Sequence, residues 1–161
     1  MIKLEHTHAD LPEEVGQVSI FPITQATTAT FADLYFRLTF FFFIQHGEKQ
    51  VETPTQGEML GSEGDLMIFP PGAMVTMVNR PVLDKAYRAL GVCFSHDLID
   101  AVFADAPSPK NATDVQIVRA AAHNPNSILS LIQENLANEN LPEPVRRHRL
   151  LEPLIWLRAQ G

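Results

Sequence analysis

Residues 64–79 read GDLMIFPPGAMVTMVN. Gly64 closes a GSEG turn, an apolar run leads to Pro70, Pro71 and Gly72, and a second apolar run ends at Asn79. A Pro-Pro-Gly step between two apolar runs is turn chemistry, so the stretch reads as a strand, a tight corner and a second strand.

The same reading extends over most of the chain. VSIFPI from Val18 is strand-like, and LYFRLTFFFFIQ, residues 34–45, is rich in aromatic and β-branched residues. That segment is apolar on both parities, which predicts one long strand covered on both sides. HGEK at 46–49 reads as a turn. QVET and GEML flank PTQG, a hairpin with Pro54 and Gly57. YRALGVCF at 87–94 alternates as a strand. DLIDAVFA at 97–104 reads as a short helix with Ser95 or His96 near its start, and VQIVRAA at 115–121 as a last strand. Short strands at this spacing predict a sandwich or barrel of about ten strands or fewer.

After residue 121 the period changes. Ile128, Leu129, Ile132 and Leu136 share one helical face, with Asn124 or Asn126 placed to cap it. LPEPVRRHRLLEPLIWLRAQG, 141–161, reads as a second helix with Pro142 and Pro144 in its first turn. Pro153 is expected to kink it, and Gly161 sits where a C-terminal cap would. The organisation expected is therefore a polar N-terminal arm over 1–17, a β domain over 18–121 and a two-helix segment over 122–161.

Composition narrows the function classes. The chain has 161 residues, of which 45% are hydrophobic, enough for a substantial core. A net charge of −7 repels phosphate backbones, so these residues are poor candidates for touching DNA themselves. Cys93 is the single cysteine and can form no internal disulfide, which fits a reducing cytosol. The first residues, MIKLEHTHADLPEE, have no apolar signal core, and the longest apolar run, FFFFI, is too short to span a bilayer. A cytoplasmic location without membrane attachment is the expectation. No Ser-His-acid context for nucleophilic catalysis and no phosphate-cradling glycine loop before a helix is present. His6 and His8 have metal-like spacing but lie in the polar arm.

The opening stretch resembles the second motif of the cupin superfamily. Gly64, Pro70, Gly72 and Asn79 fall at the motif's spacings, and Val75 stands where its metal-binding histidine would be. The first motif is degraded too. Counting back from Gly47, its glutamate position falls at Phe40, and its paired histidines near Leu34 and Phe36 or one residue earlier. Hard or borderline metals need nitrogen or oxygen ligands, so the resemblance implies a barrel with an apolar pocket in place of a metal, and no cofactor. Residues 79–99 and 141–161 extend the resemblance to AraC/XylS-type transcription regulators, whose N-terminal barrel senses a small molecule and whose helical pair dimerises. The fold implied is mainly β with C-terminal helices: a cupin-like double-stranded β-helix (jelly-roll) barrel followed by a helical pair. A DNA-binding domain with two helix-turn-helix units is expected after residue 161, making this chain the sensor part of a longer protein.

The expected ligand-binding residues are Arg37, Phe40, Phe42, Val75, Met77 and Tyr87. Alternate phenylalanines of the run 40–43 point to opposite sheet faces, so one pair should line the interior and the other pack under the helices. Arg37 reads either as a solvated outward side chain or as an anchor for an effector carboxylate. One of Tyr87 and Arg88 should face inward, and a tyrosine hydroxyl could orient a ligand. Leu150, Leu151, Leu154, Ile155 and Leu157 form a broad stripe that could pack on the barrel, serve a partner helix in a homodimer, or do both. The leading expectation is a non-enzymatic sensing and dimerisation domain that takes an unknown small-molecule effector and reaches DNA through a domain outside this chain. A metal-free stand-alone cupin binding module is the alternative, and a cupin enzyme with atypical ligands a further one.

Overall fold

A computed structural model describes residues 18–103, 113–120 and 125–137, together with residues 142, 144, 145, 151, 154 and 155. The expected arm and the C-terminal cap at Gly161 lie outside the described residues, as do Pro153, Leu150 and Leu157.

Eight strands run in order: β1 (Val18–Gln25), β2 (Ala29–Tyr35), β3 (Thr39–His46), β4 (Glu48–Thr53), β5 (Gly57–Gly61), β6 (Leu66–Phe69), β7 (Met74–Arg80) and β8 (Tyr87–Phe94). Helix α1 (His96–Phe103), strand β9 (Gln116–Val118) and helix α2 (Pro125–Ala137) follow. One sheet has the order β1-β8-β3-β6-β9 and the other β2-β7-β4-β5. Every pairing is antiparallel. Strand one pairs with eight, two with seven, three with six and four with five, the pattern of a long hairpin wrapped upon itself. This is the jelly roll, and it confirms the expected cupin-like double-stranded β-helix.

The corner at 70–73 explains its sequence. Ala73 N donates to Pro70 O at 3.2 Å, and Gly72 has φ +88°. Proline then glycine at the two central positions, with positive φ on the glycine, is the arrangement of a type II turn. The corner is also tied sideways: Phe36 N donates to Ala73 O and Gly72 N to Phe36 O, at 2.9 and 2.7 Å.

That tie corrects one expectation. Residues 34–45 are not a single strand; β2 ends at Tyr35, residues 36–38 bend, and β3 starts at Thr39 in the other sheet. Phe36 and Leu38 are buried in either geometry, so hydrophobicity could not reveal the break. Similarly, HGEK is mostly not a turn. Only Gly47, with φ +89°, separates β3 from β4, and Lys49 lies inside β4. Helix α2 starts at Pro125, which places Asn126 inside it rather than at its cap. Ser95 does cap α1, accepting a hydrogen bond from Leu98 N at 3.4 Å.

Two apolar clusters lie on either side of the first sheet. Phe36, Phe40, Phe42, Ile44, Phe69, Val75 and Met77 belong to the cluster between the sheets. Phe41, Phe43, Leu66, Val92 and Phe94 face outward and are covered by Leu98 and Val102 of α1, Ile128 and Ile132 of α2, and Leu154. The phenylalanine run therefore divides as its alternation predicts, two rings inward and two under helices. Full burial of a phenylalanine stabilises by roughly 1.5–3 kcal/mol, so this one strand anchors both layers.

The segment 113–120 closes the side of the barrel between β5 and β6. Gln56 makes a two-way bond with Val115: its Oε1 accepts from Val115 N and its Nε2 donates to Val115 O, both at 2.8 Å. Asp65 holds the other end, with Oδ1 accepting from Ala120 N at 2.9 Å and Oδ2 from Arg119 Nη1 at 3.0 Å. Val115 is thereby pressed into the interior cluster.

Candidate functional site

Strand β4 alternates Glu48, Gln50 and Glu52 outward with Lys49, Val51 and Thr53 inward. Lys49 is fully buried, and among the described residues it is the only buried cation. Register sets its neighbours: Lys49 lies opposite Asn79 on β7 and Gly61 on β5. Its ammonium donates to Asn79 Oδ1 at 3.0 Å. It sits 4.3 Å from the centroid of the Phe42 ring, 5.8 Å from that of Tyr87 and 6.0 Å from that of Phe69, within cation–π range. Neither ion pair among the described residues, His46–Glu63 and Arg119–Asp65, supplies it with a carboxylate. Burial without a counter-charge disfavours the charged form, and pushes the Lys49 pKa down from 10.5 to about 7.

Several polar groups share this end of the barrel. Tyr87 is fully buried with its ring beside Lys49, and burial raises its phenol pKa, so it stays protonated. Gln25 lies directly opposite Tyr87 across β1 and β8. The Tyr87 hydroxyl, Asn79 Nδ2 and both terminal atoms of Gln25 are buried without a hydrogen-bond partner among the described residues. Buried polar atoms are nearly always paired, so unpartnered atoms on Asn79 and Tyr87, the two residues beside Lys49, and on Gln25 opposite Tyr87 mark this region as a candidate for a polar ligand.

The rings beside Lys49 belong to a wider aromatic interior. The Phe36 ring centroid lies 4.8 Å from that of Phe69 and 5.1 Å from that of Phe40, and Phe42 lies 5.1 Å from Phe69, all edge-on. Cys93 joins this region, with its thiol pKa pushed up to about 12 by burial. The interior thus combines aromatic surface with a buried lysine and buried hydrogen-bonding groups. An elongated apolar molecule carrying an acidic head matches both parts.

The structure brings together five of the six residues expected to line a pocket: Phe40, Phe42, Val75, Met77 and Tyr87 all lie in the interior cluster. Arg37 does not join them. It is exposed in the bend between β2 and β3, the outward of its two readings, because the break at 36–38 turns its side chain off the inner face. Of Tyr87 and Arg88, the tyrosine is inward and the arginine exposed. The positions matching the cupin metal ligands, Leu34, Phe36, Phe40 and Val75, are all apolar and all inside. Among the described residues no group of three or more His, Cys, Asp or Glu could hold a metal ion.

Lys49, Asn79 and Gln25 were missed. Lys49 was lost by placing it in a turn, where lysine is ordinarily solvated. The available signal was period: with Val51 and Thr53 inward in a two-residue repeat, Lys49 shares their face.

In the C-terminal segment residues 144, 145, 151, 154 and 155 are helical. Leu154 is fully buried in the outer cluster and Leu151 packs against it, whereas Ile155 remains 49% exposed. The stripe is therefore divided, with at least Leu154 on the barrel side.

These features define a jelly-roll barrel with helices packed on one sheet and a lysine buried among aromatic rings in its interior. Among solved structures the chain is similar to ToxT from Vibrio cholerae. The P21 form has a TM-score of 0.62 at 10% identity, covering 89% of this chain and 55% of that one. ToxT from strain O395 bound to (E)-4-(8-methylnaphthalen-1-yl)but-3-enoic acid gives 0.60 at 12% identity, covering 89% and 56%. Unsaturated fatty acid bound ToxT from strain SCE256 gives 0.58 at 8% identity, covering 86% and 50%. The chain thus spans about half the length of these proteins. At such identity the likeness establishes the fold. No protein-family model and no curated protein matches the sequence.

Proposed function

We propose that the chain is the ligand-sensing and dimerisation domain of an AraC-type transcription regulator, and that its effector is an apolar carboxylic acid. Lys49 carries the reading. A buried ammonium whose described partners are one amide oxygen and aromatic faces gains most from an anion that brings its own counter-charge. Asn79 Nδ2 and the Tyr87 hydroxyl supply further donors, and Phe40, Phe42, Val75 and Met77 form the apolar wall for the rest of the molecule. ToxT, an AraC-family regulator, has been solved with two carboxylic acids of this kind. The barrel's replacement of metal-ligand positions by leucine, phenylalanine and valine supports binding without catalysis.

Coupling to the rest of a regulator follows from β3. Its inner rings face the ligand, and its outer rings, Phe41 and Phe43, support α1, α2 and Leu154. An acid that binds one arrangement of these layers more tightly than another shifts their population by that difference. The helical segment 122–161 is assigned the dimer contact, with Ile155 turned outward, and DNA is reached through a domain beyond these residues.

The test is thermal denaturation of the chain with (E)-4-(8-methylnaphthalen-1-yl)but-3-enoic acid, with oleic acid and with the corresponding primary alcohols. Acids at 100 times their Kd raise stability by about 2.7 kcal/mol, several degrees in Tm. The alcohols give little, and Lys49→Met abolishes the acid effect while the protein still melts cooperatively. Equal stabilisation by acid and alcohol removes Lys49 from the reading, and no response to any acid overturns it.

A further inference from the structure

We propose that the barrel takes up its acid ligand together with a proton, so that ligand sensing weakens as the medium becomes alkaline. The inference rests on the acid-binding reading above and deepens it. Its basis is the isolation of Lys49. The ammonium is wholly buried, has a neutral amide as its hydrogen-bond acceptor, and has no carboxylate among the described residues to hold its charge. Such an amine gives up its proton easily when the barrel is empty of anions. A carboxylate entering the same space cannot remain a lone buried anion. It must find either an ammonium or a proton of its own.

The balance is the same in both cases. An ion pair of carboxylate with ammonium and a neutral pair of carboxylic acid with amine contain equal numbers of protons. Relative to a carboxylate in water and a neutral Lys49, either complex holds one more. The stoichiometry is therefore independent of where the proton resides. With free Lys49 half-protonated at about pH 7, the affinity is level from there down towards the acid's own titration range and falls about tenfold per pH unit above it.

Other groups facing this end do not supply the proton. Tyr87 on β8 and Cys93 further along it both keep theirs through this range. Gln25 on β1 and Asn79 on β7 do not titrate, and the inward neighbours on β3, β5 and β6 are Phe42, Gly61, Met67 and Phe69. Glu48 and Glu52 alternate to the outer face of β4, where Arg80 bonds Gln50. Asp65 at the β5–β6 turn is occupied by Ser62 N, Ala120 N and Arg119. His46 lies at the end of β3, and its Nδ1 faces the Glu63 carboxylate at 3.3 Å.

Calorimetric titration of the 161-residue chain with (E)-4-(8-methylnaphthalen-1-yl)but-3-enoic acid tests this, run at pH 8 in phosphate and in Tris. The two buffers differ in ionisation enthalpy, so the difference in apparent heat counts protons. Uptake of about 0.9 proton per ligand is expected at pH 8, and about 0.1 at pH 6. Lys49→Arg, which keeps a charge but has no proton to gain, should bind with uptake near zero. If that variant does not fold, His46→Gln decides: unchanged uptake keeps the proton on the Lys49–ligand pair, and loss of uptake assigns it to His46 and overturns the inference. Binding at pH 8 with no proton uptake overturns it while leaving acid sensing intact. Absence of binding at every pH removes the acid-sensing reading itself, and this inference with it.

Discussion

Lys49 stands two residues after the glycine at which the chain changes sheets. Gly47 adopts φ +89°, and a Cβ there would come 2.5 Å from the Arg80 carbonyl oxygen and 3.1 Å from the Tyr87 ring. The glycine thus fixes the register that turns Lys49 inward, towards Asn79. A stability effect follows from the ammonium's lowered pKa. Below about pH 7 Lys49 is protonated folded and unfolded, and the full cost of burying its charge is present. Between about 7 and 10.5 the folded chain has released a proton that the unfolded chain keeps, so the unfolded state binds more protons and stability rises with pH. Urea denaturation of the ligand-free chain between pH 7 and 9 is expected to show that rise for wild type and a flatter response for Lys49→Met. Val75 illustrates the opposite lesson. Its inward direction was legible from the motif spacing, because the Pro-Pro-Gly corner is local geometry. The inward direction of Lys49 was not, because a lysine two residues after a glycine reads equally well as part of a solvated turn.

At the scale of elements, β3 and the segment 113–120 set the architecture. In β3 the alternation of four phenylalanines was readable from the sequence, since a strand has only two faces. Where the strand began was not. Residues 34–45 are apolar on both parities, and the break at 36–38 is decided by the hydrogen bonds of Phe36 to the 70–73 corner, 36 residues away along the chain. The closing segment was read as a strand with no indication of its role. Its position depends on the side chains of Gln56 and Asp65, whose partners are more than 50 residues distant. Asp65→Ala leaves Ser62 N and Ala120 N without their acceptor and is expected to cost about 2–3 kcal/mol. Most of that comes from the two backbone bonds, because Arg119 is half exposed and its ion pair contributes little. Chemical denaturation of the variant measures it, and a loss below 1 kcal/mol would show that the segment is held by β6 pairing alone.

At the scale of the molecule, the helices among the described residues pack on the outer face of one sheet. Leu154 closes the outer cluster from the C-terminal segment, while Ile155, its neighbour in sequence, is half exposed. Adjacent helical residues point about 100° apart, so a stripe five residues wide cannot all face the barrel. The two positions should separate experimentally. Leu154→Ala is expected to destabilise by about 2–5 kcal/mol through a core cavity. Ile155→Asp should leave the melting temperature of the monomer nearly unchanged and, on the proposed assignment of the dimer contact, shift sedimentation towards the monomer. If Ile155→Asp leaves the sedimentation coefficient unaltered, the dimer contact lies elsewhere.

The sequence by itself determined the mainly β class with C-terminal helices, the tight corner at Pro70–Gly72, the division of the phenylalanine run and the loss of metal-ligand residues. Each of these is local, set by turn chemistry or by the two-residue period of a strand. Tertiary structure alone decided which strands pair, where the 34–45 segment breaks, and that Lys49, Asn79, Tyr87 and Gln25 meet at one end of the barrel. Those four residues come from four strands, and what makes them the proposed acid site is burial. An ammonium acquires an unusual affinity for a carboxylate only once water has been removed from around it, and that removal is a property of the closed barrel.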